Sequence, residues 1–146
     1  MNKTVVGWSE WVALPDLGVS RLKAKIDTGA RTCALHVTAL VDEGPDAAGR
    51  PMIAFDVPAG APIRVRTPVV ARVRVRDSGG RAAERPVIET VLELGAVRRR
   101  VRVTLTDRGE MRFPMLVGRT ALRGEFVVDA GARYLLGRKR PTRATR

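Results

Sequence analysis

Ala24-Lys25-Ile26-Asp27-Thr28-Gly29-Ala30 is the segment on which the interpretation of this 146-residue chain turns. The residues leading into it, Val19 to Ile26, read as a β-strand, so the strand ends on a carboxylate. A hydroxyl residue and then a glycine follow. That order suits acid–base chemistry: a carboxylate in a half-buried site, a hydroxyl to brace the loop, and a glycine that lets another backbone approach. Alone, the tripeptide is weak support. An Asp followed by Ser or Thr and then Gly arises by chance in roughly one chain in fifteen of this length. A second copy, Asp77-Ser78-Gly79, lies between Arg76 and Gly80 and reads as a hairpin turn.

The rest of the chain is rich in β signals. Strands are expected over Val5 to Leu14, Val19 to Ile26, Ala34 to Val41, Met52 to Val57, Ile63 to Val75, Pro86 to Leu94, Val97 to Leu105, Pro114 to Val117 and Glu125 to Asp129. Clusters such as Glu43-Gly44-Pro45-Asp46 separate them. One short helix, Arg119 to Leu122, is expected just after Gly118. Many short strands between turns point to an all-β barrel or sandwich. There is also a faint repeat: Ile26-Asp27-Thr28-Gly29-Ala30-Arg31 matches Val128-Asp129-Ala130-Gly131-Ala132-Arg133 at four of six positions. Shared turn chemistry explains it, and so does duplication of a strand–turn unit.

A second element strengthens the first. Pro114-Met115-Leu116-Val117-Gly118-Arg119 places apolar residues before a glycine at the start of the expected helix. An apolar-apolar-Gly segment followed by a helix packs beside the Asp-Thr-Gly loop in retropepsins, and this stretch resembles it. The resemblance narrows with Ala24 to His36, Thr104 to Arg108 and Met111 to Arg119. These are similar to the bacterial retropepsin-like family associated with RimK, often labelled "ATP-dependent zinc protease", over about Gly7 to Leu136.

The resemblance implies a closed all-β acid-protease barrel with one short C-terminal helix. It makes Asp27 the catalytic carboxylate, Thr28 the loop brace and Gly29 the close-approach residue, supported by Ala30, Leu116, Val117 and Gly118. The segment from Arg74 to Glu84, with Ser78 and Gly79, corresponds to the flap. Family members are encoded near RimK-type glutamate ligases, and some process glutamate-modified ribosomal protein. Peptide hydrolysis of this kind needs two carboxylates, and one Asp-Thr-Gly per chain implies a two-fold homodimer. Asp129 is a rival partner within the chain, though Ala130 lacks the hydroxyl.

Composition bounds these readings. One domain is expected over residues 1–136, followed by a flexible basic tail over 137–146. Cys33, the single cysteine, excludes a disulfide scaffold and reads as a buried thiol; with His36 as the single histidine, a Cys/His zinc site is excluded too. Neither H-E-x-x-H nor a glycine-rich phosphate loop occurs, so neither metal, nucleotide nor any other cofactor is expected. His36 reads as a structural hydrogen-bonding residue. No apolar run is long enough to span a bilayer and the N-terminus lacks a signal-peptide core, which suggests a cytoplasmic protein.

The formal charge is +12, and basic residues exceed acidic ones even without the tail. Much of the excess sits on alternating stretches, Arg64 to Arg66, Arg72 to Arg76 and Arg100 to Val103, with valines on one strand face and arginines on the other. Such a face is either merely solvated or a surface for an anionic partner. Arg72, Arg74 and Arg76, in the flap region, are candidates for recognising an acidic, glutamate-bearing peptide. Trp8, Trp11, Phe55, Phe113, Phe126 and Tyr134 are scattered and not interleaved with the arginine runs, which disfavours a base-stacking platform. The competing reading is a non-catalytic cationic β-barrel that binds RNA or the ribosome through its basic face and tail.

Overall fold

Glycines and prolines cut the long apolar runs into short strands. A computed structural model describes residues 2–76, 79–107 and 112–137. The strands are β1 (Thr4–Val6), β2 (Ser9–Leu14), β3 (Val19–Asp27), β4 (Cys33–His36), β5 (Thr38–Pro45), β6 (Pro51–Ala59), β7 (Ala61–Pro68), β8 (Ala71–Arg76), β9 (Ala82–Leu94), β10 (Val97–Thr106), β11 (Met115–Gly118) and β12 (Phe126–Val128). Helix α1 (Arg119–Leu122) follows β11, and a single 3-10 turn, Pro15–Leu17, links β2 to β3. Three of the expected strands are each two: Gly7 divides the first, Val37 the third, and Pro68 ends β7 before β8. The tail residues 138–146 and Ser78 lie outside the described residues.

Six strands close into a ring. The order β10-β4-β11-β3-β2-β9 is completed by antiparallel pairing of β9 with β10, and β8 extends the sheet from β9. Closure removes the open edges an all-β domain must otherwise protect. The Gly95-Ala96 turn joins β9 to β10, and Gly95 takes a left-handed φ of 62° there. A three-stranded antiparallel sheet, β5-β6-β7, packs against the barrel, and β1 pairs in parallel with β12. The architecture is thus the expected all-β barrel with one short helix.

Alternation places the core. Leu22, Ala24 and Ile26 of β3 are buried while Lys23 and Lys25 between them are not. Leu35, Ile88, Leu94, Leu105 and Met115 line the barrel interior with almost no exposure, and Phe55 from β6 is fully buried in the same cluster. Each such side chain contributes about 1.5–3 kcal/mol by leaving water.

Candidate active site

Asp27 is the last residue of β3, half-buried, and stands opposite Gly118 in the parallel pairing of β3 with β11. Its carboxylate Oδ1 accepts the Gly29 N–H at 3.2 Å, and its carbonyl accepts the Ala30 N–H at 3.1 Å. This turn holds the carboxylate at the strand end by local bonds alone.

Residues from the other end of the chain lock the loop. The Arg119 N–H donates to the Ala30 carbonyl at 2.9 Å, and the Thr120 N–H and hydroxyl both donate to the Arg31 carbonyl, at 3.1 and 2.8 Å. The Arg119 guanidinium donates through Nη1 to the carbonyls of Thr28 and Gly29, each at 3.3 Å. Within the chain, the tight backbone approach beside this loop is at Gly118. A Cβ on Gly118 would lie 2.4 Å from the Thr32 carbonyl oxygen, whereas one on Gly29 would meet nothing nearer than Asp27 Oδ1 at 3.4 Å. Leu116 and Val117 carry β11 along Lys25 and Ile26, with Val117 fully buried. Beneath the loop lies Cys33, a buried thiol as expected; burial pushes it up to about 11, against a hydrogen bond with the Gly118 backbone.

A cleft of about 710 Å³ opens beside this loop, bordered by Arg31, Thr32 and Thr120 and walled by β8, β9 and β10. The β8 residues in it are Ala71, Val73 and Val75; the cations are Arg31, Arg100 and Arg102. The arginine set of β8 is on the opposite parity from those valines. Arg72 pairs with Asp42 at 3.0 Å, Arg76 donates to the Gly80 carbonyl at 2.8 Å, and Arg74 is exposed. Strand alternation was visible in the sequence, but which face looks into the cleft depends on barrel closure. Arg100 and Arg102 reach Glu89 at 3.6 and 3.4 Å. Gly79 is exposed near the tip of the β8–β9 hairpin.

Other singled-out residues fall elsewhere. His36 is at the far end of β4 from the Asp27 loop, where its backbone N–H donates to the Pro114 carbonyl; its ring Nδ1 is buried without a hydrogen-bond partner among the described residues, unlike the hydrogen-bonding side chain expected. The repeated segment forms the same turn as the first: Asp129 Oδ1 accepts the Gly131 N–H at 2.9 Å, and its carbonyl accepts the Ala132 N–H at 3.2 Å. The two turns flank one segment, since Ile26 donates to Trp8 and Asp129 donates to Val6. Thr28 is exposed in a recess of about 300 Å³ with Leu122, Phe126 and Val127. Beside it, Val5 and Val127 are cross-strand partners, 45% and 46% exposed. Among the described residues no cluster of three His, Cys, Asp or Glu side chains could hold a metal. Among the same described residues no helix is long and apolar enough to cross a membrane.

Residues 5–139 match the model of the RimB-like family, described as retropepsin-like aspartic endopeptidase RimB. Two similar proteins are named probable alpha-L-glutamate ligase. That of Shewanella pealeana is 34% identical over 94% of this chain, and that of Parasynechococcus marenigrum 36% over 93%. The chain spans about a third of the length of these curated relatives, 31% and 30%. A crystal structure of the Legionella pneumophila protein Lpg0085, of unknown function, is similar with a TM-score of 0.77 and 27% identity, covering 92% of this chain and 99% of that one. With the Asp27 loop, its Gly118 partner strand and a match over nearly its whole length, the chain belongs to the RimB-like family of retropepsin-like aspartic endopeptidases.

Proposed function

We propose that the protein is an aspartic endopeptidase whose active site forms when two copies meet, each supplying one Asp27. The observation that carries this is the lock on the Asp27 loop. Arg119 and Thr120 hold it from the far end of the chain, at the border of a cleft large enough for peptide side chains. Such cross-linking fixes a carboxylate where a reacting group needs it and serves little purpose in a surface turn. Thr28, Gly29 and Ala30 keep the loop's shape through their backbone groups, and the Thr28 hydroxyl, expected as the brace, makes no hydrogen bond among the described residues.

Two carboxylates one water apart share a single proton. One takes a proton from the water as it attacks the peptide carbonyl; the other donates its proton to the carbonyl oxygen. Collapse of the tetrahedral intermediate breaks the C–N bond, and the amine leaves protonated. The dimer is supported by the surface around Thr28: exposed Val5 and Val127 sit on a two-stranded sheet with an edge to offer a second copy. No metal, nucleotide or other cofactor enters this mechanism.

For the substrate we infer an acidic or glutamate-modified protein, a ribosomal protein included, met in the cytoplasm. Arg31, Arg100 and Arg102 line the cleft, with Arg72, Arg74 and Arg76 behind it on the hairpin. The relatives named probable alpha-L-glutamate ligase carry a similar segment within a chain about three times as long, which supports a substrate that bears added glutamate. The test is digestion of a glutamate-tailed protein by the wild type and by Asp27→Asn, with product masses recorded. Cleavage by the wild type that vanishes in the variant, with folding and dimerisation kept, supports the proposal. Full activity in Asp27→Asn ends it. A wild type that binds RNA or ribosomes and cleaves nothing supports the non-catalytic reading instead.

A further inference from the structure

Four of the six aromatic residues, drawn from three separate stretches of the sequence, meet on the solvent side of β2 and β3. Trp11 and Tyr134 stack with ring centroids 5.9 Å apart and planes 19° apart; Trp8 and Phe113 meet edge to face at 5.8 Å. Arg133 joins the two pairs, its guanidinium 6.0 Å from the Trp8 ring and 5.8 Å from Tyr134. Arg21 lies 3.8 Å above Trp11, and the Lys23 ammonium is 5.6 Å from Phe113. The interleaving of cations with aromatics that is missing along the sequence is therefore made by the fold.

The cations of this face have no carboxylate partner among the described residues, unlike seven of the other arginines. Arg50, Arg64, Arg66, Arg72, Arg98, Arg100 and Arg102 each pair with a carboxylate. Among the described residues Arg21, Lys23, Lys25 and Arg133 pair with none, and the Arg21 Nε is buried without a hydrogen-bond partner. A buried guanidinium nitrogen left unpaired costs stability, and of the four buried side-chain atoms without a partner among the described residues, Ser9 Oγ, Arg21 Nε, His36 Nδ1 and Thr90 Oγ1, only that of Arg21 belongs to a residue lining an open groove. Beside it runs an open groove of about 480 Å³ between Trp11, Arg21 and Lys23 on one side and Pro58 to Gly60 and Pro114 on the other. No carboxylate lines it. A face that served only to glue Tyr134 onto β2 would need the ring stack but not this row of unpaired charge.

We propose that this face, separate from the cleft beside the Asp27 loop, binds single-stranded nucleic acid. Arg21, Lys23 and Lys25 project from alternate positions of β3, roughly 6.6 Å apart, as a row for successive phosphates. A base takes the face of Trp11 that Arg21 now covers, and the guanidinium turns onto a phosphate. Cation–aromatic surfaces of this kind hold any sequence, because every base has a stacking face. An acidic peptide would use the cations and leave the rings without a role.

The test is fluorescence anisotropy of labelled twelve-nucleotide poly(U) and poly(dT), and of a twelve-residue glutamate peptide, with the full chain at 50–200 mM salt. The variants are Arg21→Gln with Lys23→Gln, Trp11→Ala, and one with Arg138, Lys139, Arg140, Arg143 and Arg146 all changed to Gln. The proposal expects both nucleic acids, or RNA alone, to bind more tightly than the peptide. The Arg21/Lys23 double variant should bind at least tenfold more weakly, with a log–log salt slope shallower by about 1.4. Trp11→Ala should lose about 5- to 150-fold; should it fail to fold, the double variant decides. Unchanged affinity in the double variant overturns the proposal, as does equal or tighter binding of the peptide, or loss confined to the C-terminal variant. Since no cleavage is measured, these outcomes do not depend on the peptidase reading.

Discussion

Gly118 faces Asp27 across the β3–β11 pairing with no room for a side chain, since a Cβ there would lie 2.4 Å from the Thr32 carbonyl oxygen and 2.8 Å from the Thr32 nitrogen. Backbone cannot step aside as a side-chain tip can. Gly118→Ala should therefore push β11 away from the 31–33 segment and tilt the Asp27 loop. The expected result is a loss of about 1–3 kcal/mol in denaturant unfolding, with peptide cleavage reduced at least tenfold. Gly29→Ala, which meets only Asp27 Oδ1 at 3.4 Å, should cost clearly less. Equal stability of the two variants would contradict the assignment.

Glu10 ties the chain's ends together. Its side chain is fully buried and accepts three backbone N–H groups, Gly7 at 2.7 Å, Leu135 at 2.9 Å and Leu136 at 3.2 Å. Replacing it by Ala leaves those donors without an acceptor, at a cost of about 2–4 kcal/mol. Glu10→Gln keeps one oxygen and should lose about half as much. Chemical denaturation of the two variants checks the order, and limited proteolysis should find cleavage after Arg133 faster in Glu10→Ala.

Cys33 should be nearly inert in the folded protein. Burial raises its thiol to about 11, so near pH 8 about 100-fold less thiolate is present than for a cysteine at the ordinary value. A colorimetric thiol reagent should react with the native protein at least 100-fold more slowly than with the urea-unfolded chain. The sign with pH follows: the unfolded state loses its proton first, so Cys33 costs stability as pH rises from about 9 toward 11. That alkaline loss should shrink in Cys33→Ala. Rapid native labelling would show that the 31–33 segment opens.

What was legible in the sequence was local. The β3 strand, the turn at Asp27 and helix α1 come from neighbours in the chain, and their residues announce them. Long-range packing did not announce itself. Gly7 breaks the first strand because a Cβ there would sit 2.3 Å from the Ala132 carbonyl, more than 120 residues away. The same holds for Arg119, whose guanidinium serves the carbonyls of Thr28 and Gly29. Nothing near it in the sequence joins it to them, and only the ring closure reveals the loop beside it. The arginines of β8 and β10 alternate identically in sequence, yet it is the β10 set that enters the cleft.

The proposed dimer makes activity depend on concentration. Val127 is 46% exposed on the β1–β12 sheet and borders the recess that holds Thr28. An arginine there, Val127→Arg, would bring a charge into an apolar contact with a copy of itself across the two-fold axis. Its folding should be unaffected, because the residue is at the surface. Sedimentation velocity should show a shift from dimer to monomer, and the cleavage rate per chain should fall at least tenfold at low micromolar protein. For the wild type, the rate per chain should drop on dilution in step with the dimer fraction. A rate per chain that stays constant in solutions containing only monomer would refute the shared site. It would turn attention to Asp129, whose turn repeats that of Asp27 on the other side of Val6 to Trp8; Asp129→Asn would then have to abolish cleavage.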